Sequence, residues 1–255
     1  MKIFITGSEG FIGSHLTEKL VKKGHKVKAL VLYNFDNSNG WLDKLNINIK
    51  RKLKICRGDI RDLDFIKRET KNYDVIIHLA ALIGIPYSYF SPRSYLDTNV
   101  IGTLNVLEAS RYCESLKVIL VVTSDKCYKN QEWDWGYRET DPISGYDPYS
   151  SSKGCAELIT TAYINSYFNP INYRVHKKVL TSVRAGNVIG GGDWQTDRLI
   201  PDSMKSLAKS ELISLRNPEA VRPWQFVLEP LWGYLLLASK MAYAPDRYSG
   251  AWNFG

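Results

Sequence analysis

A rhythm of two periods governs this chain. Short runs rich in Val and Ile, "KIFIT" (2–6), "KVKALVL" (26–32), "LKIC" (53–56), "DVIIHLA" (74–80), "VILVVT" (118–123) and "LTSVRA" (180–185), alternate with amphipathic segments of helical length such as 12–22 and 92–112. Runs that are apolar almost throughout predict strands buried on both faces, and the helices between them are the crossovers that parallel strands require. The expected fold is α/β, a doubly wound parallel sheet whose ligands gather beyond the carboxyl ends of the strands. After residue 187 the rhythm loosens: "GNVIGGGDW" is loop material, "DRLIPDSMKSLAK" and "LWGYLLLASKMA" read as helices, and "EAVRPWQFVLEP" mixes strand and turn signals. The division predicts a sheet domain over 1–186 and a small partial lobe over 187–255, some of whose segments return to the sheet. The final "GAWNFG" reads as a strand with no partner after it.

Composition narrows the setting. A chain of 255 residues with 44% hydrophobic and 24% charged side chains is ordinary for a folded globular protein and is not that of a disordered one. No apolar run approaches the roughly 18 residues of a membrane span. The opening "MKIFIT" is cut short by Gly7, so no membrane partner is expected and the cytoplasm is the predicted compartment. Cys56, Cys113, Cys127 and Cys155 lack metal-ligand spacing, which predicts packed thiols and no metal. The net charge of +8 is densest in "KRKLKICR" (50–57), where Leu53 and Ile55 open a strand. A solvated loop leading into the sheet accounts for that run better than a nucleic-acid partner, and the surplus charge suits anionic small molecules.

Two motifs carry chemistry. The first strand runs into "GSEGFIGSHL", with Gly7, Gly10 and Gly13 ahead of a helix that carries Ile12, Leu16 and Leu20 on one stripe. Glycine there permits a tight turn, lets the backbone approach a pyrophosphate and seats the helix so that its first amides face phosphate. This predicts a Rossmann-like dinucleotide cradle with Gly7, Gly10, Phe11, Ile12 and Gly13 around the cofactor. A carboxylate is expected at the tip of the second strand to hold the ribose hydroxyls. "ALVLYNFDN" has none at that tip, and Asp36 lies several residues beyond, so NAD and NADP both stay open. The second motif, "DPYSSSKGCAEL", sets Tyr149 and Lys153 four apart at the start of a helix, on one face. An ammonium beside a phenol favours its ionised form, so Tyr149 is expected to have its pKa drawn down towards neutrality and to take a proton from a sugar hydroxyl.

These elements resemble, in order and along the whole chain, the extended short-chain dehydrogenase/reductase superfamily, and within it the nucleotide-sugar epimerases and dehydratases. The resemblance rests on the glycine motif at 7–13, "GDIRD" (58–62), "HLAA" (78–81), "TNVIGTLNVLEA" (98–109) and YxxxK. It implies Asp59 and Ile60 by the adenine, Ala80 and Ala81 along the cofactor, Asn99 near the active-site helix, and Thr123, Tyr149 and Lys153 completing the cofactor site. Where epimerases carry small hydroxyl residues, the 4,6-dehydratases carry an acid pair; here the positions hold Ser124, Asp125 and Lys126, a base and an acid for eliminating water. Lysine at 126, with "VRAGNVIGGGDWQTDRLIPD" and "RNPEAVRPWQFVLEP" downstream, is similar to the CDP-glucose 4,6-dehydratases. That implies NAD as a recycled hydride carrier, a nucleotide-sugar substrate held by Asn187, Arg198 and Arg222, and a place in deoxysugar synthesis for polysaccharide. Superfamily members dimerise through two helices, here expected at 92–112 and 149–168.

The sequence also departs from that pattern. Its first hundred residues look more like dehydratases of UDP- or GDP-linked sugars, Phe226 stands where a histidine is expected, and family members continue beyond "NFG", so a small, shortened C-terminal substrate lobe is expected. A C4 epimerase, which needs Tyr149 but not Asp125 and Lys126, and a non-catalytic dinucleotide-binding module are the rival readings.

Overall fold

The computed structural model describes residues 1–255. Its strands are β1 (Lys2–Thr6), β2 (Lys26–Leu32), β3 (Lys54–Gly58), β4 (Val75–His78), β5 (Val118–Val122), β6 (Val179–Ala185), β7 (Asn187–Ile189), β8 (Trp224–Phe226) and β9 (Gly250–Phe254). Seven of them form one sheet in the order β3-β2-β1-β4-β5-β6-β9, every neighbour parallel. The order reverses between β1 and β4, where Thr6 lies opposite His78, and this is the crevice the strand pattern predicts.

The principal helices are α1 (Phe11–Lys22), α2 (Leu63–Glu69), α3 (Gly102–Tyr112), α4 (Pro148–Ser166), α5 (Leu199–Ala208) and α6 (Leu228–Tyr243). They cover both faces because the strand side chains alternate. Ile3 and Ile5 of β1 pack with Leu16 and Leu20 of α1 and with Leu231 and Leu237 of α6, while Phe4 between them packs with Ile66 of α2 and Val106 and Leu107 of α3. Each side chain so enclosed stabilises the fold by about 1.5–3 kcal/mol relative to exposure. The helical run before α3 begins at Pro92–Tyr95 and passes through a wider π segment, Leu96–Ile101, that carries Asn99.

Beyond β6 the chain makes its irregular excursion. β7 and β8 pair with each other in parallel, α5 lies between them in sequence, and α6 returns to the sheet. The final "GAWNFG" is a strand, as expected, and its partner lies upstream. It forms β9 on the outer edge of β6, in register from Thr181 opposite Gly250 to Ala185 opposite Phe254. Phe254 is seated edge-on against Tyr234 of α6, ring centroids 5.1 Å apart. Its partner strand lies far upstream, so adjacency in sequence could not reveal the pairing. No helix is long and apolar enough to cross a membrane.

Candidate active site

The glycine turn is shaped by its neighbours. Gly7 has a φ of +68°, and a Cβ on it would stand 2.7 Å from the Ala80 amide nitrogen; one on Gly13 would stand 2.1 Å from the Gly7 carbonyl oxygen. Both positions therefore exclude a side chain so that β1, α1 and the strand tip of β4 can close together. Gly10 differs. Its nearest contact to a hypothetical Cβ is an ordinary 3.5 Å, and it is exposed at the head of α1, which leaves open the surface a pyrophosphate needs. Phe11 and Ile12 are half-buried against the core, and Phe11 also meets the loop of the second lobe, where a Cβ on Gly190 would lie 3.2 Å from its ring.

Across the crevice, the Thr6 hydroxyl accepts the Ala80 amide at 3.1 Å and lies 2.7 Å from Nδ1 of His78. His78 Nε2 lies 3.1 Å from the Thr103 hydroxyl, which itself donates to the Asn99 carbonyl. His78 is therefore the Nε2–H tautomer, and burial holds it neutral, its pKa lowered to about 3. Ala80 and Ala81 are half-buried along this wall. The Asn99 side chain grips the Leu82 backbone at both ends, 2.8 and 3.0 Å, and donates to the Ser152 hydroxyl of α4 at 2.8 Å.

A cavity of about 530 Å³ opens beside the ends of β2 and β3, lined by Tyr33, Asp59, Arg61, Asp62, Asp97 and Ile101. Asp59 is there, with Arg61 bonded to it at 2.6 Å; burial raises the Asp59 pKa, but the Arg61 guanidinium and amide outweigh that and leave it lowered. Ile60 is a core residue, its side chain packed where Gly102 leaves room.

At the centre, Asp147 caps α4 by accepting the Ser150 amide at 2.9 Å, which presents Tyr149 and Lys153 towards the tip of β5. Ser124, Asp125 and Lys126 turn off that tip. Lys126 Nζ donates to the two Asp125 carboxylate oxygens at 3.0 and 3.2 Å and reaches Asn187 Oδ1 at 3.5 Å. Burial pushes the Tyr149 phenol up to about 12, opposed by the bonded Ser124 hydroxyl and the charge of Arg198. Burial also lowers Lys153 to about 8, opposed by Glu157. The expectation that Lys153 draws the phenol towards neutrality is thus corrected. The Lys153 ammonium instead donates to the Val122 carbonyl at 3.4 Å, and the positive charge acting on the phenol is Arg198.

Three further residues are placed as follows. The Thr123 hydroxyl turns away and donates to the Glu157 carboxylate. Arg198 heads α5, half-exposed, and donates to Asp193 at 2.9 Å. Arg222 lies in an exposed loop, its guanidinium donating at 2.8 Å only to the adjoining Val221 carbonyl, so it does not converge on Tyr149.

The sequence reading missed the residues beneath the site. Glu157, one turn beyond Lys153, accepts from Arg184 Nη2 at 2.7 Å, Ser182 at 2.8 Å and Thr123. Arg184 Nη1 donates to the Tyr128 hydroxyl at 2.7 Å, and Tyr128 donates to Asn253 of β9 at 2.7 Å. The Arg184 and Glu157 side chains are 4% and 1% exposed, so this ion pair knots α4, β5, β6 and β9 together under the catalytic surface. Its signal was available: Tyr149, Lys153 and Glu157 recur every four residues, placing three polar groups on the sheet-facing side of one helix. Cys127 is wholly buried, its thiol pushed up to about 12 by burial, in keeping with an inert thiol.

A family model described as GDP-mannose 4,6 dehydratase matches residues 4–242. The chain is 44% identical over its whole length to the CDP-glucose 4,6-dehydratase of Salmonella typhimurium and spans 70% of that protein. In fold it is similar to a UDP-N-acetylglucosamine 4-epimerase from Methanobrevibacter ruminantium, with a TM-score of 0.83, 24% identity, all of this chain and 76% of that one covered. It is similar to the same degree to a dTDP-glucose 4,6-dehydratase from Streptomyces venezuelae crystallised with NAD, with a TM-score of 0.82, 24% identity and the same coverage.

Proposed function

Since the chain belongs to the GDP-mannose 4,6-dehydratase family, we propose that it is a nucleotide-sugar 4,6-dehydratase that converts CDP-glucose to CDP-4-keto-6-deoxy-glucose with NAD. The observation that carries the reading is the Asp125–Lys126 pair at the β5 tip, bonded to each other and to Asn187, on the same edge as Tyr149. An epimerase has no use for that pair; an elimination needs both members. The 44% identity over the full chain supports CDP-glucose as the substrate.

The cradle fits a dinucleotide: Gly7 and Gly13 admit no side chain, Gly10 leaves the phosphate approach open, and the cavity at Asp59 receives the adenosine end. Bound there, NAD would supply the hydride chemistry, acceptance from C4 and return to C6. Tyr149 removes the C4 hydroxyl proton. Burial holds its phenol up, the Arg198 charge opposes that burial, and Lys153 beneath it ties α4 to the end of β5. The C4 ketone acidifies the C5 proton, and Asp125 with Lys126 provides one base for that proton and one acid for the departing C6 hydroxyl, so water leaves with no net redox change. Asn187, Arg198 and Arg222 hold the nucleotide diphosphate; guanidinium forks match paired phosphate oxygens. Asn99, Ala80, Ala81, Phe11, Ile12 and Thr123 shape the cofactor channel.

The division into a dinucleotide-binding domain over 1–186 and a partial substrate lobe over 187–255, with α6 and β9 returning, follows the same reading. A homodimer is supported by apolar side chains left outward on the two helices named for it, Leu96 at 45%, Ile101 at 44% and Leu158 at 60% exposure. The cytoplasm, where nucleotide sugars are made, is the proposed compartment.

The test is incubation of purified protein with CDP-glucose, UDP-glucose, UDP-N-acetylglucosamine and GDP-mannose in separate reactions, each product read by mass. Loss of one water from CDP-glucose is expected. Loss only from another of the four overturns the choice of base, and loss from none, with NAD bound, favours the binding-module reading.

A further inference from the structure

One half-buried carboxylate has no place in this chemistry. Glu9, between Gly7 and Gly10, reaches across to the end of β2, where its Oε1 accepts the Leu32 amide at 2.9 Å. Its other oxygen, Oε2, is enclosed and has no hydrogen-bond partner. Only backbone amides bond to this side chain, and burial raises its pKa against them. Its own carbonyl accepts the Trp41 amide at 3.0 Å, which fixes Glu9 to the turn after β2 as well. An enclosed carboxylate oxygen left without a donor is costly, and such an atom calls for a partner.

The place of that oxygen suggests the partner. The carboxyl end of β2 is where a dinucleotide fold sets the acid that accepts the ribose 2′-hydroxyl. This chain has no acid at the tip itself, since Leu32 is followed by Tyr33 and Asn34, and Asp36 is exposed. Glu9 brings a carboxylate to the same spot from the glycine turn. The surroundings also disfavour a 2′-phosphate. The two arginines of this rim are engaged: Arg57 donates to the Asn37 carbonyl at 3.1 Å and to Asn39 at 2.7 Å, and Arg61 is paired with Asp59.

We infer that Glu9 is the acceptor of the adenosine ribose 2′-hydroxyl and the residue that selects NAD over NADP. The inference rests on the dinucleotide-dependent reading above. As the ribose seats, Oε2 is uncovered and accepts the hydrogen bond of the 2′-hydroxyl, and the same negative charge repels a phosphate at that position.

Protein stripped of nucleotide is titrated by calorimetry with ADP-ribose, 2′-deoxy-ADP-ribose and 2′-phospho-ADP-ribose. Wild type is expected to bind ADP-ribose at least about tenfold more tightly than either analogue, the size of one lost or clashing charged hydrogen bond. In Glu9→Gln the discrimination against the phosphate falls towards unity, while in Asp36→Asn it stays as in wild type. Equal binding of ADP-ribose and its 2′-deoxy form by wild type overturns the assignment without any variant. So does an unchanged ratio in a folded Glu9→Gln, or a collapsed ratio in Asp36→Asn, which would make Asp36 the ribose acid. If wild type binds none of the three, the dinucleotide reading itself fails; if it binds them and only the selection is missing, that reading stands and this one falls.

Discussion

The two halves of the candidate site are held in place by different means. On the sheet side, Tyr149, Lys153 and the β5 tip stand on a fully buried network in which Glu157 accepts from Arg184, Ser182 and Thr123. On the lobe side, Arg198 is half-exposed on one aspartate, Arg222 touches only its own neighbour, and Lys126 meets Asn187 at 3.5 Å. Chemistry needs groups fixed to fractions of an ångström, whereas recognition of a long flexible diphosphate tolerates side chains that settle on binding. The comparison teaches that the reacting centre is preorganised and the nucleotide grip is completed by the ligand.

The comparison breaks most sharply at Tyr149. Tyr149→Phe is expected to lower turnover of CDP-glucose by about 10²–10⁴-fold with the melting temperature unchanged, the usual worth of a positioned proton acceptor. A variant with near wild-type turnover would remove the sheet half from the chemistry. Next is the network below it. Glu157→Ala leaves Arg184 buried without its counter-charge and is expected to cost about 3–5 kcal/mol of stability, measured by urea unfolding; a loss below 1 kcal/mol would show that the knot is not what holds α4.

Acid gives a smaller effect on the same half. The folded-state pKa of His78, about 3, lies below its ordinary 6.5, so between those values the unfolded chain binds the extra proton and stability falls as pH drops. His78→Asn is therefore expected to shift the acid-unfolding midpoint to lower pH relative to its own stability at neutral pH. An unchanged midpoint would place the acid-sensitive group elsewhere. The smallest effect belongs to the lobe. Arg222→Ala is expected to leave stability within about 0.5 kcal/mol of wild type and to raise KM for CDP-glucose by about tenfold at constant kcat, as loss of one charged hydrogen bond does. A fall in kcat instead would mean that the lobe, too, is preorganised.

Much of the sheet half was legible in the sequence because periodicity reports burial. β1 and β2 are found where the apolar runs lie, and the remaining four sheet strands of the first 186 residues start and stop within two residues of theirs. Gly7 and Gly13 were legible because sterics leave no other residue there. What escaped was whatever depends on non-local pairing. β9 joins β6 across more than sixty residues of intervening chain, and Glu157 finds Arg184 on another strand, so neither leaves a local period. Ile60 and Thr123 were placed by motif at the cofactor; both lie just past strand ends, where a motif does not specify which way a side chain turns, and theirs turn into the core and onto Glu157. Tyr149 was misjudged in charge, since spacing to Lys153 shows proximity along a helix and says nothing about burial, which dominates both groups. Arg222 has the right composition around it but sits on a loop whose path sequence does not specify.

The most direct test follows one hydrogen. CDP-glucose carrying deuterium at C4 is incubated with the protein, and the product is examined by mass spectrometry and NMR. The account predicts a product lighter by one water with the deuterium now in the C6 methyl group, because the hydride leaves C4 and returns to C6 within one active site. Deuterium found back at C4 in an inverted sugar would contradict it, assigning the site to epimerisation and leaving Asp125 and Lys126 without a catalytic task.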